Sequence, residues 1–250
     1  MIRVKNLYKR YGKNEVLKGL NLEIRTGETV VILGQSGTGK SVLLKQIMCI
    51  ERPDRGEIFL DSVCLTSLKE HQLYTAIRDV GMLFQGAALF DSMTIGENVG
   101  FYLKQHNPAS DKEIKVRVNK ALEMVGLKDK GNLMPSDLSG GMRKRAGLAR
   151  LIVYRPKVLL YDEPTTGLDP ITAMQINDLI VQTQRELNAT SIVVTHDICS
   201  AFHVADRIAF SHEGKIAYIA PKEEFIKIDD PIVQTFLKNS IPNGVLFNER

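Results

Sequence analysis

The chain has no tryptophan, three cysteines and an aromatic content of 6% across 250 residues. Cys49, Cys64 and Cys199 form an odd set without C-x-x-C spacing, which argues against a disulfide framework or a zinc site. Reduced thiols acting as small buried hydrophobes are expected. No apolar run approaches the roughly 20 residues that a membrane-crossing helix needs. The start Met1-Ile2-Arg3-Val4-Lys5 leads into strand pattern and does not read as a signal peptide, so any membrane role is expected to come through a partner. Low-complexity tracts and internal repeats are also missing. Charge of one sign is scarce: 33 basic against 29 acidic side chains suits anionic ligands in general without indicating nucleic acid. With 44% hydrophobic residues the chain can bury a sizeable core, as one domain or a domain with a subdomain.

What is present is a phosphate loop. Gly34-Gln35-Ser36-Gly37-Thr38-Gly39-Lys40-Ser41 fits the pattern G-x-x-x-x-G-K-[ST]. Its glycines let backbone N–H groups close around phosphate oxygens, while Lys40 reaches the β and γ phosphates and Ser41 meets magnesium. The apolar run Glu28 to Leu33 reads as a buried strand and Ser41 to Met48 as a helix, so the loop would present phosphate to a helix N-terminus. ATP with Mg2+ is the ligand this pattern implies.

Around the loop, Ile2 to Asn6, Tyr8 to Tyr11, Val16 to Leu20 and Leu22 to Ile24 are short alternating runs that predict an antiparallel sheet, punctuated by Gly12 and Gly27. Ile58 to Leu60, Val80 to Phe84, Val158 to Tyr161 and Ser191 to Thr195 read as buried strands of a mostly parallel α/β sheet. The stretch from about Ile95 to Tyr154 has helical patterns (Lys112 to Val125, Met142 to Val153) and no convincing strand, so a helical insertion is expected. Ile208 to Ser211 and Lys215 to Ile219 flank a glycine turn and predict a hairpin. Asp230 and Pro231 read as N-cap and first position of a short amphipathic helix. The tail from Ile241 onward cannot continue it through Pro242 and Gly244, yet its apolar residues predict docking on the chain itself or on a sister subunit.

Carboxylates at a strand end carry the chemistry. An apolar strand delivers Asp162 to the edge where open α/β sheets bind ligands, which suits a magnesium ligand. Glu163 follows immediately and is placed to polarise a water for attack on the γ phosphate, whereas a kinase would use that space for an acceptor. His196, again just beyond a strand, is expected on the nucleotide side as a γ-phosphate contact. His203, seven residues on, would share its helical face, but no third metal ligand is nearby.

With these motifs in their order, the chain resembles the nucleotide-binding subunit of ABC transporters over essentially its full length. The resemblance implies a P-loop NTPase α/β core with an N-terminal antiparallel β subdomain and an inserted helical subdomain, over residues 1–240 with the insertion at about 95–155. It also implies a head-to-tail homodimer with two shared ATP sites, in which Leu138-Ser139-Gly140-Gly141 faces the γ phosphate held by the other subunit. By the same likeness Tyr11 stacks on adenine and Gln85 links magnesium and water to an integral membrane permease subunit. Gly167-Leu168-Asp169 joins the two sites. Met142 departs from the family's usual glutamine, and the following Arg143-Lys144-Arg145 reads as a solvated helix face, not a nucleic-acid patch. Phe84 to Phe90, Leu138 to Met142, Asp169 to Thr172 and Asp230 to Leu237 resemble one branch, the ATPases of Mla-type (Mce-linked) phospholipid transporters. That branch implies an Mce-type lipid-binding subunit and a peripheral place on the cytoplasmic face of the inner membrane. The apolar Ala87-Ala88-Leu89-Phe90 is the expected docking surface for the permease. Small-solute importers and lipoprotein-release systems would look nearly identical. A soluble P-loop kinase would have no use for Ser139 to Gly141, and the stretch from Ser41 to Ser139 is too short for the coiled coil of a DNA-tethering ATPase.

Overall fold

The computed structural model describes residues 1–106 and 110–240, so the expected docking tail lies outside the described residues. The chain divides into two compact units, one of residues 1–77 and 192 onward, the other of residues 78–191.

The first unit opens with β1 (Ile2–Tyr11) and β2 (Asn14–Ile24), antiparallel from Ile2↔Ile24 to Tyr11↔Asn14. Each was expected as two short runs. Asn6 at φ 46 and Gly19 at φ 77 are the reason: extra residues at register shifts break the alternation without ending the strand. In β3 (Thr29–Leu33) Val30, Val31, Ile32 and Leu33 are 0% exposed, and each contributes at most about 1.5–3 kcal/mol of burial. Next come α1 (Lys40–Ile47), β4 (Arg55–Leu60), β5 (Val63–Cys64) and α2 (Glu70–Ala76). Ile58 to Leu60 was expected among the parallel strands. It belongs instead to the antiparallel sheet β2-β1-β4-β5, paired Ile2↔Leu60 with β1. Only Ile58 of β4 is fully buried, the one-sided burial of an antiparallel strand rather than the two-sided burial of a parallel one.

The second unit contains β6 (Val80–Leu83), α3 (Ile95–His106), α4 (Asp111–Met124), α5 (Gly140–Ile152), β7 (Val158–Asp162) and α6 (Pro170–Leu187). β6 and β7 pair in parallel from Val80↔Val158 to Leu83↔Tyr161. Between Leu83 and Val158 no strand occurs among the described residues. Ser110 starts α4 with a reciprocal capping box, its own N–H donating to Glu113 at 2.8 Å. Asp169 caps α6 ahead of Pro170, and Asn188 in the left-handed region ends it.

β8 (Thr190–Thr195) carries the chain back into the first unit, where α7 (Ile198–Val204), β9 (Arg207–His212), β10 (Lys215–Pro221), α8 (Lys222–Phe225) and α9 (Pro231–Ser240) follow. There β9 runs parallel to β3, Val30↔Arg207 to Leu33↔Phe210, and β10 returns antiparallel. The hairpin turn uses Glu213 and Gly214, both at positive φ, the pairing that follows strand twist. Asp230 accepts from Ile232 N–H at 2.7 Å and starts α9, whose Phe236 meets Phe210 edge-on at 5.3 Å. The cysteines are a correction: Cys49 and Cys64 are half-buried and Cys199 is exposed, so none is a core hydrophobe. Burial raises the Cys49 thiol to about 11.

Tyr161 in β7 is 0% exposed, and its hydroxyl has no hydrogen-bond partner among the described residues. Tyr161→Phe therefore removes an unpaired polar atom from the core and should leave stability unchanged or raise it by about 1 kcal/mol. Urea unfolding at constant m-value measures this; a loss of more than about 1 kcal/mol would mean the hydroxyl is satisfied.

Candidate functional site

In the first unit the phosphate loop runs from the end of β3 to the start of α1. Gly37 at φ 84 and Gly39 at φ 89 take conformations that side chains resist, and Gly39 is the residue preceding α1. Gly34 is demanded by space, because a Cβ there would stand 2.5 Å from the Ser211 carbonyl oxygen. Lys40 is 6% exposed and curls back on its own loop, its Nζ donating to the carbonyls of Gly34 and Gln35 at 2.8 Å each. Thr38 Oγ1 donates to the Gln35 carbonyl at 3.0 Å, while Gln35, Ser36 and Gly37 are exposed at the rim. Ser41 lies half-buried in the first turn of α1. The loop is thus irregular backbone folded against one buried cation, a chemistry suited to receiving phosphate.

Tyr11 ends β1 at 45% exposure, with Lys9 Nζ 5.5 Å from its ring centroid. Its hydroxyl donates to Glu51, and partial desolvation together with that bond raises the phenol to about 12. A neutral exposed ring is suited to stacking on a base. His196 is exposed one residue beyond β8, and its neighbour Asp197 caps α7 through Cys199 and Ser200 N–H at 3.0 and 3.2 Å. His196 therefore precedes the helix that carries His203, and the expected shared helical face does not exist.

In the second unit β7 delivers Asp162 at its last position, 6% exposed, and Glu163 follows at 8% exposure with φ 47. Thr166 Oγ1 donates to Glu163 Oε2 at 2.9 Å. The main chain of Glu163 accepts from Lys144 Nζ at 3.2 Å, and the same ammonium donates to the Gln85 carbonyl. Lys144 is 6% exposed, so the basic triplet is not a solvated face. Arg143 donates to the Leu138 carbonyl at 2.6 Å and Arg145 to the Gln175 side chain. Sequence reasoning missed Lys144 because it took three adjacent cations as one surface. The helical period was the available signal, since Lys144 falls on the α5 face shared with Leu148 and Leu151. Gln85 itself is exposed just after β6.

Ser139 is the N-cap of α5, its hydroxyl accepting from Met142 N–H at 3.3 Å. Gly140 is exposed at the helix start, and Gly141 is buried where a Cβ would stand 2.5 Å from Thr172 Cγ2. Asp169 is exposed and accepts from Ile171 and Thr172 N–H at 3.1 and 3.0 Å; the Thr172 side-chain bond first, with these backbone bonds, holds its pKa below the usual value.

The family model for ABC transporters matches residues 17–166. The chain is 38% identical to the intermembrane phospholipid transport system ATP-binding protein MlaF of Haemophilus influenzae, over 99% of this chain and 94% of that one. It is also 38% identical to the Fe(3+) ions import ATP-binding protein FbpC of Escherichia coli O157:H7, over 90% of this chain and 63% of that relative. A solved dimeric ATP-binding cassette in a post-hydrolysis state, bound to ADP and Pi, superposes with TM-score 0.81 at 34% identity, covering 89% of this chain and 99% of that one. The chain belongs to the ABC transporter ATP-binding family, and its activity is ATP hydrolysis on an α/β cassette.

Two glycines test the loop by different physics. Gly34→Ala meets immovable main chain and should cost roughly 1–3 kcal/mol. Gly37→Ala has open space and should cost only about 1–2 kcal/mol for its left-handed φ. Both are read by denaturant unfolding; a neutral Gly34→Ala would contradict the contact with Ser211.

Proposed function

We propose that the chain is the ATPase subunit of a phospholipid transporter acting between membranes. The match to the Haemophilus influenzae protein over nearly all of both chains carries this reading. The loop amides and Lys40 bind the β and γ phosphates, Tyr11 stacks on adenine, Glu163 orients the attacking water, and His196 contacts the γ phosphate. Asp162, Ser41 and Gln85 offer a carboxylate, a hydroxyl and an amide oxygen, and this hard-oxygen set fits magnesium rather than a softer ion. Among the described residues no cluster of three or more His, Cys, Asp or Glu could hold a metal, so the ion would rely on these donors, nucleotide phosphates and water. When bound, it would neutralise charge on the transferring phosphoryl group.

Glu163 suits its role because burial at 8% exposure and the Thr166 hydroxyl bond leave its carboxylate one defined orientation. Ser139, Gly140 and Gly141 open α5 and offer backbone amides to the γ phosphate of a second copy in a head-to-tail homodimer, with Asp169 linking the paired sites. Among the described residues no helix is long and apolar enough to cross a membrane. In this reading transport is coupled through a permease subunit and an Mce-type lipid-binding subunit. The subunit then works peripherally at the cytoplasmic face of the inner membrane, without nucleic acid. An iron importer ATPase is the second reading, favoured by the 38% identity to FbpC. Reconstitution with the co-purified membrane subunits decides between them: ATP-dependent phospholipid transfer between vesicles supports the proposal, and ATP-dependent Fe(3+) uptake without lipid transfer overturns it.

Lys40→Ala should weaken ATP binding at least about tenfold, since it deletes the loop's buried cation. Glu163→Gln should keep binding, trap the nucleotide-bound dimer and slow hydrolysis about 10²- to 10⁴-fold. Equilibrium nucleotide binding with phosphate release separates the two, and wild-type turnover by Glu163→Gln would remove the role given to Glu163.

The docking surface is also testable. Leu89 is half-buried, and Phe90 is 42% exposed with its ring 4.9 Å from Phe101. Phe90→Ser should reduce pull-down of the permease more than it lowers the melting temperature; lost stability with intact association would assign Phe90 to the cassette's own packing.

A further inference from the structure

One face of α5 holds the loop that follows β6. Lys144, Gly147 and Arg150 recur every three residues on that face. The Lys144 ammonium donates to the main-chain oxygens of Gln85 and, at 3.2 Å, Glu163. Arg150 continues the grip, donating to the carbonyls of Ala88 at 2.7 Å and Ala87 at 3.3 Å, with its guanidinium 5.6 Å from the Phe90 ring centroid. Gly147 lets the loop lie against the helix, because a Cβ there would stand 2.8 Å from Leu83 Cδ1 and 3.0 Å from Ala87 Cβ.

The segments so held are strained. Ala87 at φ 62, Ala88 at φ 49 and Glu163 at φ 47 occupy the left-handed region without being glycine. Such residues keep that conformation only where their surroundings impose it. A lysine present only to fill space would be a poor choice, since desolvating an ammonium is costly and an apolar side chain would fill the same volume. Burial draws the Lys144 pKa down, while the charges of Asp162 and Glu163 oppose that shift. What the ammonium does, and a methyl group could not, is hold two carbonyls from distant parts of the sequence on one atom.

We propose that Lys144 is a positioning residue for ATP hydrolysis, its single ammonium fixing the spacing between the main chains of Gln85 and Glu163. The water-orienting carboxylate and the loop glutamine are then placed together, and α5, which starts at the Ser139 cap, moves with both. This rests on the roles assigned above to Gln85 and Glu163. Nucleotide affinity is set by other residues, chiefly the phosphate loop and its own Lys40, so loss of Lys144 acts on turnover.

The experiment compares full-length wild type, Lys144→Met, Lys144→Arg and Glu163→Gln by steady-state ATPase kinetics and equilibrium binding of a fluorescent ATP analogue. Lys144→Met is expected to lower kcat about 10- to 100-fold. Its KM and its Kd for the analogue should stay within about threefold of wild type. Lys144→Arg, which keeps charge and donors, is expected to recover most of the lost kcat. If Lys144→Met does not fold, Lys144→Gln, too short to span both carbonyls, carries the same expectation. The inference is overturned if the apolar or shortened variant keeps kcat within about threefold of wild type, or if kcat and nucleotide affinity fall together. Wild-type turnover by Glu163→Gln would sink the underlying roles, whereas an inactive Glu163→Gln beside a fully active Lys144→Met would sink this inference alone.

Discussion

A cation that donates to main-chain carbonyls is the interaction on which the functional edges of both units depend. Lys40 closes the phosphate loop on Gly34 and Gln35, Lys144 holds Gln85 and Glu163, Arg150 holds Ala87 and Ala88, and Arg143 holds Leu138. Each of these carbonyls lies in irregular backbone outside any helix or strand, although Gln35 and Glu163 also accept from Thr38 Oγ1 at 3.0 Å and Thr166 N–H at 3.3 Å. An unpaired buried carbonyl costs about 1–3 kcal/mol, so a cation repairs a loss and at the same time fixes the loop's shape. Hydrogen bonds from ionised donors are about twice as strong as neutral ones, which offsets part of the cost of holding Lys40 and Lys144 at 6% exposure.

Backbone strain and cation placement work together at these edges. Glycine supplies the left-handed residues in the phosphate loop, where amides must face a ligand and no side chain is needed. Beyond β6 and β7 the left-handed residues are Ala87, Ala88 and Glu163, and here packing enforces what glycine would give freely. If Glu163 orients a water, as proposed above, glycine cannot take its place. On that reading the left-handed turn at Glu163 is kept for its carboxylate, and Lys144 bonds the same main chain at 3.2 Å.

Phosphate chemistry is shared by relatives that move unlike cargo, as identity of 38% to both a phospholipid and an iron transport protein shows. In the segment after Gln85, the proposed docking surface, Asn98 is 0% exposed and pins the Phe90 backbone through its amide and carbonyl at 2.7 and 3.0 Å. A rigidly held rim with a half-exposed aromatic suits a docking contact, because little conformational entropy remains to be lost on association.

Much of this protein was legible in the order of its residues. Periodicity placed β3, β7, β8, the C-terminal hairpin and helices α1, α4, α5 and α9, because apolar residues at helix or strand spacing can be buried in only one way. The phosphate loop and the cap at Asp230 were readable because local backbone geometry demands glycine, or a short polar side chain, at fixed offsets. Sequence alone could not show that β1 and β2 run through their bulges, that β4 joins the antiparallel sheet, that the cysteines lie near the surface, or that Lys144 is buried between Gln85 and Glu163. Those outcomes rest on contacts between residues far apart in the chain. Local pattern determines which backbone groups need a partner, and only the tertiary structure decides which side chain supplies it.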